Sequence, residues 1–266
     1  YTTNHPEISM TSILPGYDYW NNSLKAIPVN MYSFAEIMAM ALKLENSNNL
    51  LDISSVKYVF IPIRDLVNDQ DFFVFFGKSR QYYIDQLNKI SYLKKIDIGT
   101  KEIVVYENKD FRPHIYATAE KETIYKDLRP TIYDVKYKFV NPTEYKVSLK
   151  NVKTPFYLNF SESYHPQWNV YLGDFKWYSV LLNKQKAISN KNHFKNDAGL
   201  NSYVLDPKSI CKQSACVQNK DGSHNINMTL YFAPQSYMYF GGIISLTTLF
   251  GVLSYLGYIG FSKLKK

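Results

Sequence analysis

The sequence predicts an α+β protein: a small α/β unit, then an antiparallel β-sandwich of jelly-roll-like kind, then one C-terminal transmembrane helix. Three observations lead there. Before residue 110 two amphipathic helical stretches alternate with apolar strands, and after Arg112 helical periodicity gives way to short aromatic runs. Residues 237–261 then read YMYFGGIISLTTLFGVLSYLGYIGF, without an Asp, Glu, Lys or Arg. The segments are a connector at 1–32, the α/β domain at 33–110, the sandwich at 111–233, the membrane helix at 234–262 and a basic cytoplasmic tail at 263–266.

The connector is polar and turn-rich, with Pro6, Pro15, Gly16 and Pro28. Ser33 with Glu36 forms a capping-box pattern, and Phe34, Ile37, Met38, Leu42 and Leu44 recur at helical spacing, which predicts a helix over about 34–45. Asn46 to Asn49 interrupt it, and Val56 to Ile61 supply a strand that Pro62 stops. A second helix is expected over Arg80 to Ile90, with Tyr83, Ile84, Leu87 and Ile90 inward. Leu93 to Ile98 and Glu102 to Tyr106 read as a hairpin through Gly99 and Thr100.

In the sandwich region, strands are expected at His114–Ala117, Ile132–Phe139, Tyr145–Leu149, Phe156–Phe160, Trp168–Leu172, Trp177–Leu182, Leu200–Leu205 and Asn225–Phe232. Alternation in KYKFVN and EYKVSLKN puts Tyr137, Phe139, Tyr145, Val147 and Leu149 on buried faces and the lysines in water. The last strand runs almost directly into the span. At about 1.5 Å per residue the charge-free run crosses a hydrocarbon core of about 30 Å with some tilt to spare. Tyr237, Tyr239, Tyr255 and Tyr258 suit the two interfacial belts, and the five glycines between 241 and 260 suit close approach of a neighbouring helix. Lys263, Lys265 and Lys266 follow, so the positive-inside rule puts the C-terminus in the cytoplasm and everything before Tyr237 outside it.

Composition narrows the function. Without those three lysines, 28 basic residues face 23 acidic ones, and only four are arginine, which leaves no nucleic-acid footprint. The 16% aromatic content serves β-rich packing and sugar contact equally well. The chain opens on Tyr1 without an initiator Met or signal peptide, so earlier spans of a larger protein are expected upstream. Cys211 and Cys216, the only cysteines, are read as a disulfide closing a small loop in an extracytoplasmic setting. Half of a metal site with His193 or His224 is the weaker alternative, since a second close ligand pair is missing.

The richest polar and aromatic stretch is FSESYHPQWNVYL. Glu162 and His165 have the chemistry of an acid and base pair, and Tyr164 with Trp168 that of a sugar platform. The plainer reading is a strand ending in a Pro166 turn, with the aromatics in the core. The run HFKNDAGLNSYVL, which opens on the glycan-binding candidate His193, has Asn196, Asp197 and Asn201 beside Gly199 and suits a hydroxylated ligand, although Asx turns account for the pattern equally well. Asp65, Asn68, Asp69 and Asp71 make an acidic run without EF-hand spacing, so a solvated loop is expected rather than a metal site. Sequons begin at Asn21, Asn159 and Asn227. No nucleophile elbow, P-loop, Rossmann glycine pattern or zinc motif occurs, and no residue is assigned a catalytic role.

The order VKYVFIP, a helix, YLKKIDIGTKEIVVYENKDFRPHIYA and NPTEYKVSLKNVKTPFYLNFSESYHPQWNVYL, then HFKNDAGLNSYVLD and YFAPQSYMYFGGIIS, resembles a known family over most of residues 50–262. It looks like the C-terminal extracytoplasmic region and last span of YfhO-like proteins and related GT-C-type bacterial membrane glycosyltransferases. The resemblance implies a parent enzyme that takes a sugar from a polyprenyl phosphate and adds it to an envelope glycan or protein. It implies that the catalytic carboxylate and any divalent cation belong to the missing N-terminal membrane region, so this part holds no cofactor. The expected partners are the lipid bilayer, that membrane region and a glycan or lipid-linked sugar. The alternative is a membrane-anchored carbohydrate-binding or structural module without transferase activity.

Overall fold

The computed structural model describes residues 34–61, 78–100, 103–126, 132–188, 190–212 and 216–264. The connector, Ser33, the acidic run at 65–71, Asn21 and the final two lysines lie outside the described residues. The fold class is α+β: antiparallel sheets follow a small α/β part, and a long apolar helix closes the chain. Two compact units interleave along the sequence. One comprises residues up to 135 with 153–165 and 191–207; the other comprises 136–152, 166–190 and 208–266.

In the first unit, helices α1 (Phe34–Ala41) and α2 (Ser47–Ile53) precede strand β1 (Tyr58–Ile61), helix α3 (Arg80–Leu87) and strands β2 (Leu93–Ile96) and β3 (Val104–Asn108). The three strands form an antiparallel sheet ordered β1-β3-β2, with Leu93 opposite Asn108 as the expected hairpin requires. Ser79 caps α3 by accepting from the Tyr82 amide at 3.3 Å, and Tyr83, Ile84 and Leu87 turn inward. They share a core with Leu42, Leu51, Ile61 and Tyr106. The first helix stops at Ala41, four residues before the expected end, and the interruption falls at 42–46 rather than at Asn46 to Asn49: Asn46 takes a left-handed φ of 66° and the chain re-enters a helix at Ser47. Burial of Leu50 and Leu51 outweighs the low helix propensity of Asn48 and Asn49.

A second sheet of this unit is ordered β10-β11-β8-β4-β5, from β4 (Ile115–Thr118), β5 (Ile132–Tyr133), β8 (Phe156–Ser163), β10 (His193–Lys195) and β11 (Leu200–Leu205). Its central strands are buried on both faces, because Leu50 and Ile53 of α2, with Ile124 and Ala198, form an apolar cluster with Leu200. Such a strand reads as a continuous apolar run, and YVL and IYA do.

The second unit is built on β13 (His224–Phe232), which pairs with β7 (Glu144–Val152), β9 (Trp168–Leu172) and β12 (Cys216–Gln218), while β6 (Val135–Asn141) forms the edge beside β7. Along β7 the alternation holds: Tyr145, Val147 and Leu149 are buried. On β6 it fails, since Tyr137 is 41% and Phe139 56% exposed. An edge strand has one paired neighbour, so its side chains lose much of the cover that a central strand receives. Phe139 packs against Tyr145 edge-on at 5.5 Å and otherwise faces water. The predicted strand at Trp177–Leu182 is instead a helical turn, α4 (Tyr178–Leu181). Trp177 and Val180, three apart, both reach the cluster of Tyr171, Phe175 and Tyr231, and only a helical turn aims them the same way. Cys211 and Cys216 are disulfide-bonded, with Cα atoms 5.3 Å apart.

After the short helix α5 (Pro207–Ile210), helix α6 (Pro234–Leu264) begins two residues after β13. Pro234 to Gly260, 27 residues, is long and apolar enough to cross a membrane, and past its first turn residues 237–258 are all exposed. A core helix of a soluble protein would be buried. At about 1.5 Å per residue that stretch is about 40 Å long, enough for a hydrocarbon core and part of both headgroup layers.

Leu149→Ala in the buried strand β7 is expected to cost about 2–5 kcal/mol in urea unfolding. Val140→Ala on the exposed edge strand is expected to stay within about 0.5 kcal/mol. Equal effects would mean that β6 is as deeply packed as β7.

Candidate functional site

The sequence-selected residues divide between the two units. Glu162, Tyr164, His165, His193, Asn196 and Asn201 belong to the first, whereas Trp168 belongs to the second. Trp168 is 7% exposed and lies between Tyr145 and Phe232, with ring centroids 6.3 and 5.2 Å away. A sugar cannot stack on a face already covered, so Trp168 is a core residue and not half of a platform with Tyr164.

The first unit gathers its residues around Asn201, whose side chain is completely buried. Its Nδ2 donates to the carbonyls of Glu162 at 2.8 Å and Ser163 at 3.0 Å. Its Oδ1 accepts from the His165 amide at 3.2 Å and contacts His193 Nε2 at 2.9 Å. One amide therefore holds the end of β8, where a register shift between Leu200 and Asn201 would otherwise leave backbone groups unmatched. With its acceptor facing two nitrogens, that side chain is consumed by structure.

Above it the rings form a ladder. His193 lies parallel to Tyr203 at 4.3 Å and 11°, in register across the β10–β11 pair, and Tyr164 leans on His193 at 4.9 Å. Tyr203 is buried, and burial pushes its phenol upward so that it stays protonated. Burial also lowers the His193 imidazole below its ordinary value; the Asn201 contact opposes this, and nearby His165 adds to it. Asn196 is spent in a turn: its Oδ1 accepts from the Ala198 amide at 3.0 Å and the Leu200 amide at 2.9 Å, around Gly199 at φ +81°. The adjacent Asp197 accepts from Thr123 Oγ1 at 2.6 Å.

Glu162 has His114 beside it: His114 Nε2 stands 3.4 Å from Glu162 Oε1. A contact at that distance would raise the imidazole, yet burial lowers it, because the Glu162 side chain is 42% exposed and water screens its charge. His114 and Tyr203 are site residues that the sequence alone did not single out. Tyr203 could have been found, since it sits two positions from Asn201 on the same strand face. His114 could not, because the β4–β8 pairing that brings it beside Ser161 spans more than forty residues.

Beside this hub Glu162 and Tyr164 are half-buried and His165 is exposed: an acid, a phenol and an imidazole within four residues of chain. That set can hydrogen-bond and stack on a polyhydroxylated ligand. No group of three metal-ligating side chains occurs among the described residues. Of the sequons, Asn159 is buried and bound to Ser202 and Thr118, so its amide is not available to a glycan, while Asn227 is exposed.

Asn201→Ala orphans two carbonyls and an amide and is expected to cost at least about 2 kcal/mol in thermal or urea unfolding. His114 and His193 also predict a pH dependence. The folded imidazoles bind protons below the unfolded value of 6.5, so acid favours the unfolded chain. Their contribution is full above pH 6.5 and falls as pH drops through it toward the lower folded values. A His114→Gln, His193→Gln double variant should lose less stability than the parent between pH 7.5 and 5; identical losses would mean the two imidazoles titrate alike folded and unfolded.

No protein-family model, curated protein or solved structure matches this chain.

Proposed function

We propose that the chain is the extracytoplasmic C-terminal region and last transmembrane helix of a polytopic envelope glycosyltransferase-like protein of the YfhO-like and GT-C type. Its role there is accessory. It positions a glycan or protein acceptor, or steadies the membrane part, while transfer from a polyprenyl-phosphate sugar and any divalent cation belong upstream. The observation that carries this reading is the joint between β13 and α6. Ser236 is wholly buried, its Oγ donates to the Trp177 carbonyl at 2.6 Å, and it lies 3.0 Å from the Tyr231 hydroxyl. A sheet locked onto a membrane helix holds a fixed stance over the bilayer, which suits positioning; a binding module on a free linker needs no such lock. Burial raises the Tyr231 phenol despite the Ser236 contact, so it stays neutral in the joint.

A single cysteine at Lys220 is expected to react with a membrane-impermeant maleimide in intact cells, and one at Ser262 only after permeabilisation. The reverse pattern would put the sheets in the cytoplasm and end this reading. In the full-length parent, Ser236→Ala is expected to lower transfer to acceptor by weakening the joint, with binding of the lipid-linked donor unchanged.

The Tyr164–His193–Tyr203 ladder favours a second reading, a membrane-anchored glycan-binding module. It predicts glycan binding by the detergent-solubilised chain, lost on Tyr164→Ala with folding retained. Trp168→Ala would not report on it, because that ring is core.

A further inference from the structure

The segment beside the root of α6 has a surface that the accessory role does not use. Residues 176–188 leave β9, form α4 and return to the sheet, and both ends are pinned. At the start the Trp177 carbonyl accepts from Ser236 Oγ at 2.6 Å; at the return Gln185 Nε2 donates to the Leu172 carbonyl at 2.7 Å and the Ile188 amide to the Val170 carbonyl at 2.8 Å. Between the pins Asn183 closes α4 at φ 49°, and the Lys184 amide donates back to the Ser179 carbonyl at 3.1 Å. The arm is thus a built element. Yet it exposes Tyr178 by 37% and Leu182 by 55%, with Lys176, Lys184 and Lys186 exposed around them.

Its height along α6 is set by contact. The Trp177 carbonyl accepts from Ser236, and the Trp177 ring meets Tyr239 edge-on at 5.6 Å. Tyr239 is five residues into α6, about 7.5 Å along its axis. If about 30 Å of the 27-residue stretch lies in hydrocarbon, about 5 Å at each end lies among headgroups. Trp177 therefore stands at the boundary where aromatic rings of transmembrane proteins collect, next to Tyr237 and Tyr239. An apolar residue flanked by lysines at that depth matches an interface in which acyl chains lie beneath anionic phosphates.

We infer that the 176–186 arm is a second membrane contact: Tyr178 and Leu182 enter the outer edge of the bilayer beside α6, and Lys176, Lys184 and Lys186 bind the phosphates of anionic lipid headgroups. The inference rests on α6 crossing a bilayer, as the proposed function does. It adds a lipid preference and a reason for the exposed apolar residues. A lone helix can tilt in the bilayer and carry its locked sheet with it, whereas a second contact point restrains that tilt.

The test is site-directed spin labelling of the full chain in vesicles, where Cys211 and Cys216 are oxidised and an introduced cysteine is the only free thiol. Labels go at Leu182→Cys, at Val252→Cys within α6 and at Lys220→Cys. The last lies in the turn before β13, at the strand end away from α6. Oxygen and a water-soluble nickel complex are used as relaxants, in phosphatidylcholine vesicles with and without phosphatidylglycerol. The expected result is an oxygen-to-nickel ratio at 182 several-fold above that at 220, rising with phosphatidylglycerol. Each lysine near an anionic surface is worth about fivefold in partitioning. Lys176→Gln, Lys184→Gln and Lys186→Gln together should therefore abolish the rise and leave position 252 unchanged. A water-like ratio at 182 with a lipid-like ratio at 252 would overturn the arm and leave the span intact. A lipid-like ratio at 182 that ignores phosphatidylglycerol would overturn the headgroup recognition. A water-like ratio at 252 would sink the span, and with it both this inference and the proposed function.

Discussion

Strand β13 is the constraint on which the second unit depends. It bonds to β7 along one edge and β9 along the other, receives β12 at its start and ends two residues before α6. A strand paired on both sides cannot shift register by one residue without turning its buried set, Ile226, Met228 and Leu230, toward the opposite face. The position of Phe232, and so of the helix that follows, is therefore held by the whole sheet. The Ser236 contacts extend that hold into the first turn of the helix. Tyr171, Phe175 and Tyr231 pack around it, the first two rings stacked at 4.1 Å.

In the first unit an asparagine does comparable work. Asn201 satisfies backbone groups at a place where the β8–β11 ladder loses register, and by doing so fixes His165, His193 and the end of β8. A buried amide is tolerated there because all its hydrogen-bonding capacity is matched, and burying it unmatched would be costly. The half-buried residues Glu162 and Tyr164 inherit their placement from that anchor. The chemistry available to a ligand thus lies beside a structural hub.

Much of the fold was legible in local pattern. The hairpin of β2 and β3, the helix α3, the alternating strand β7 and the closing apolar helix all carry their period in consecutive residues, and each stands within a few residues of where that period puts it. Less of the site was legible. The residue types around Asn201 stand out in sequence, but Asn196 and Asn201 proved to be consumed by the backbone and Trp168 by the core. Glu162 also meets His114, forty-eight positions away, and no local period encodes such a pair.

The sequence by itself determined the class, the strands with one buried face, the disulfide and a helix fit to cross a membrane, because each follows from side-chain period, length or spacing along one stretch of chain. Only the tertiary structure decided that Tyr137 and Phe139 stay exposed, that Trp177–Leu182 turns as a helix, and that Ser236 locks sheet to span. These depend on which strand is an edge and which distant residues supply cover. Burial is a property of neighbours, and neighbours are chosen by pairing across the sheet rather than by position along the chain.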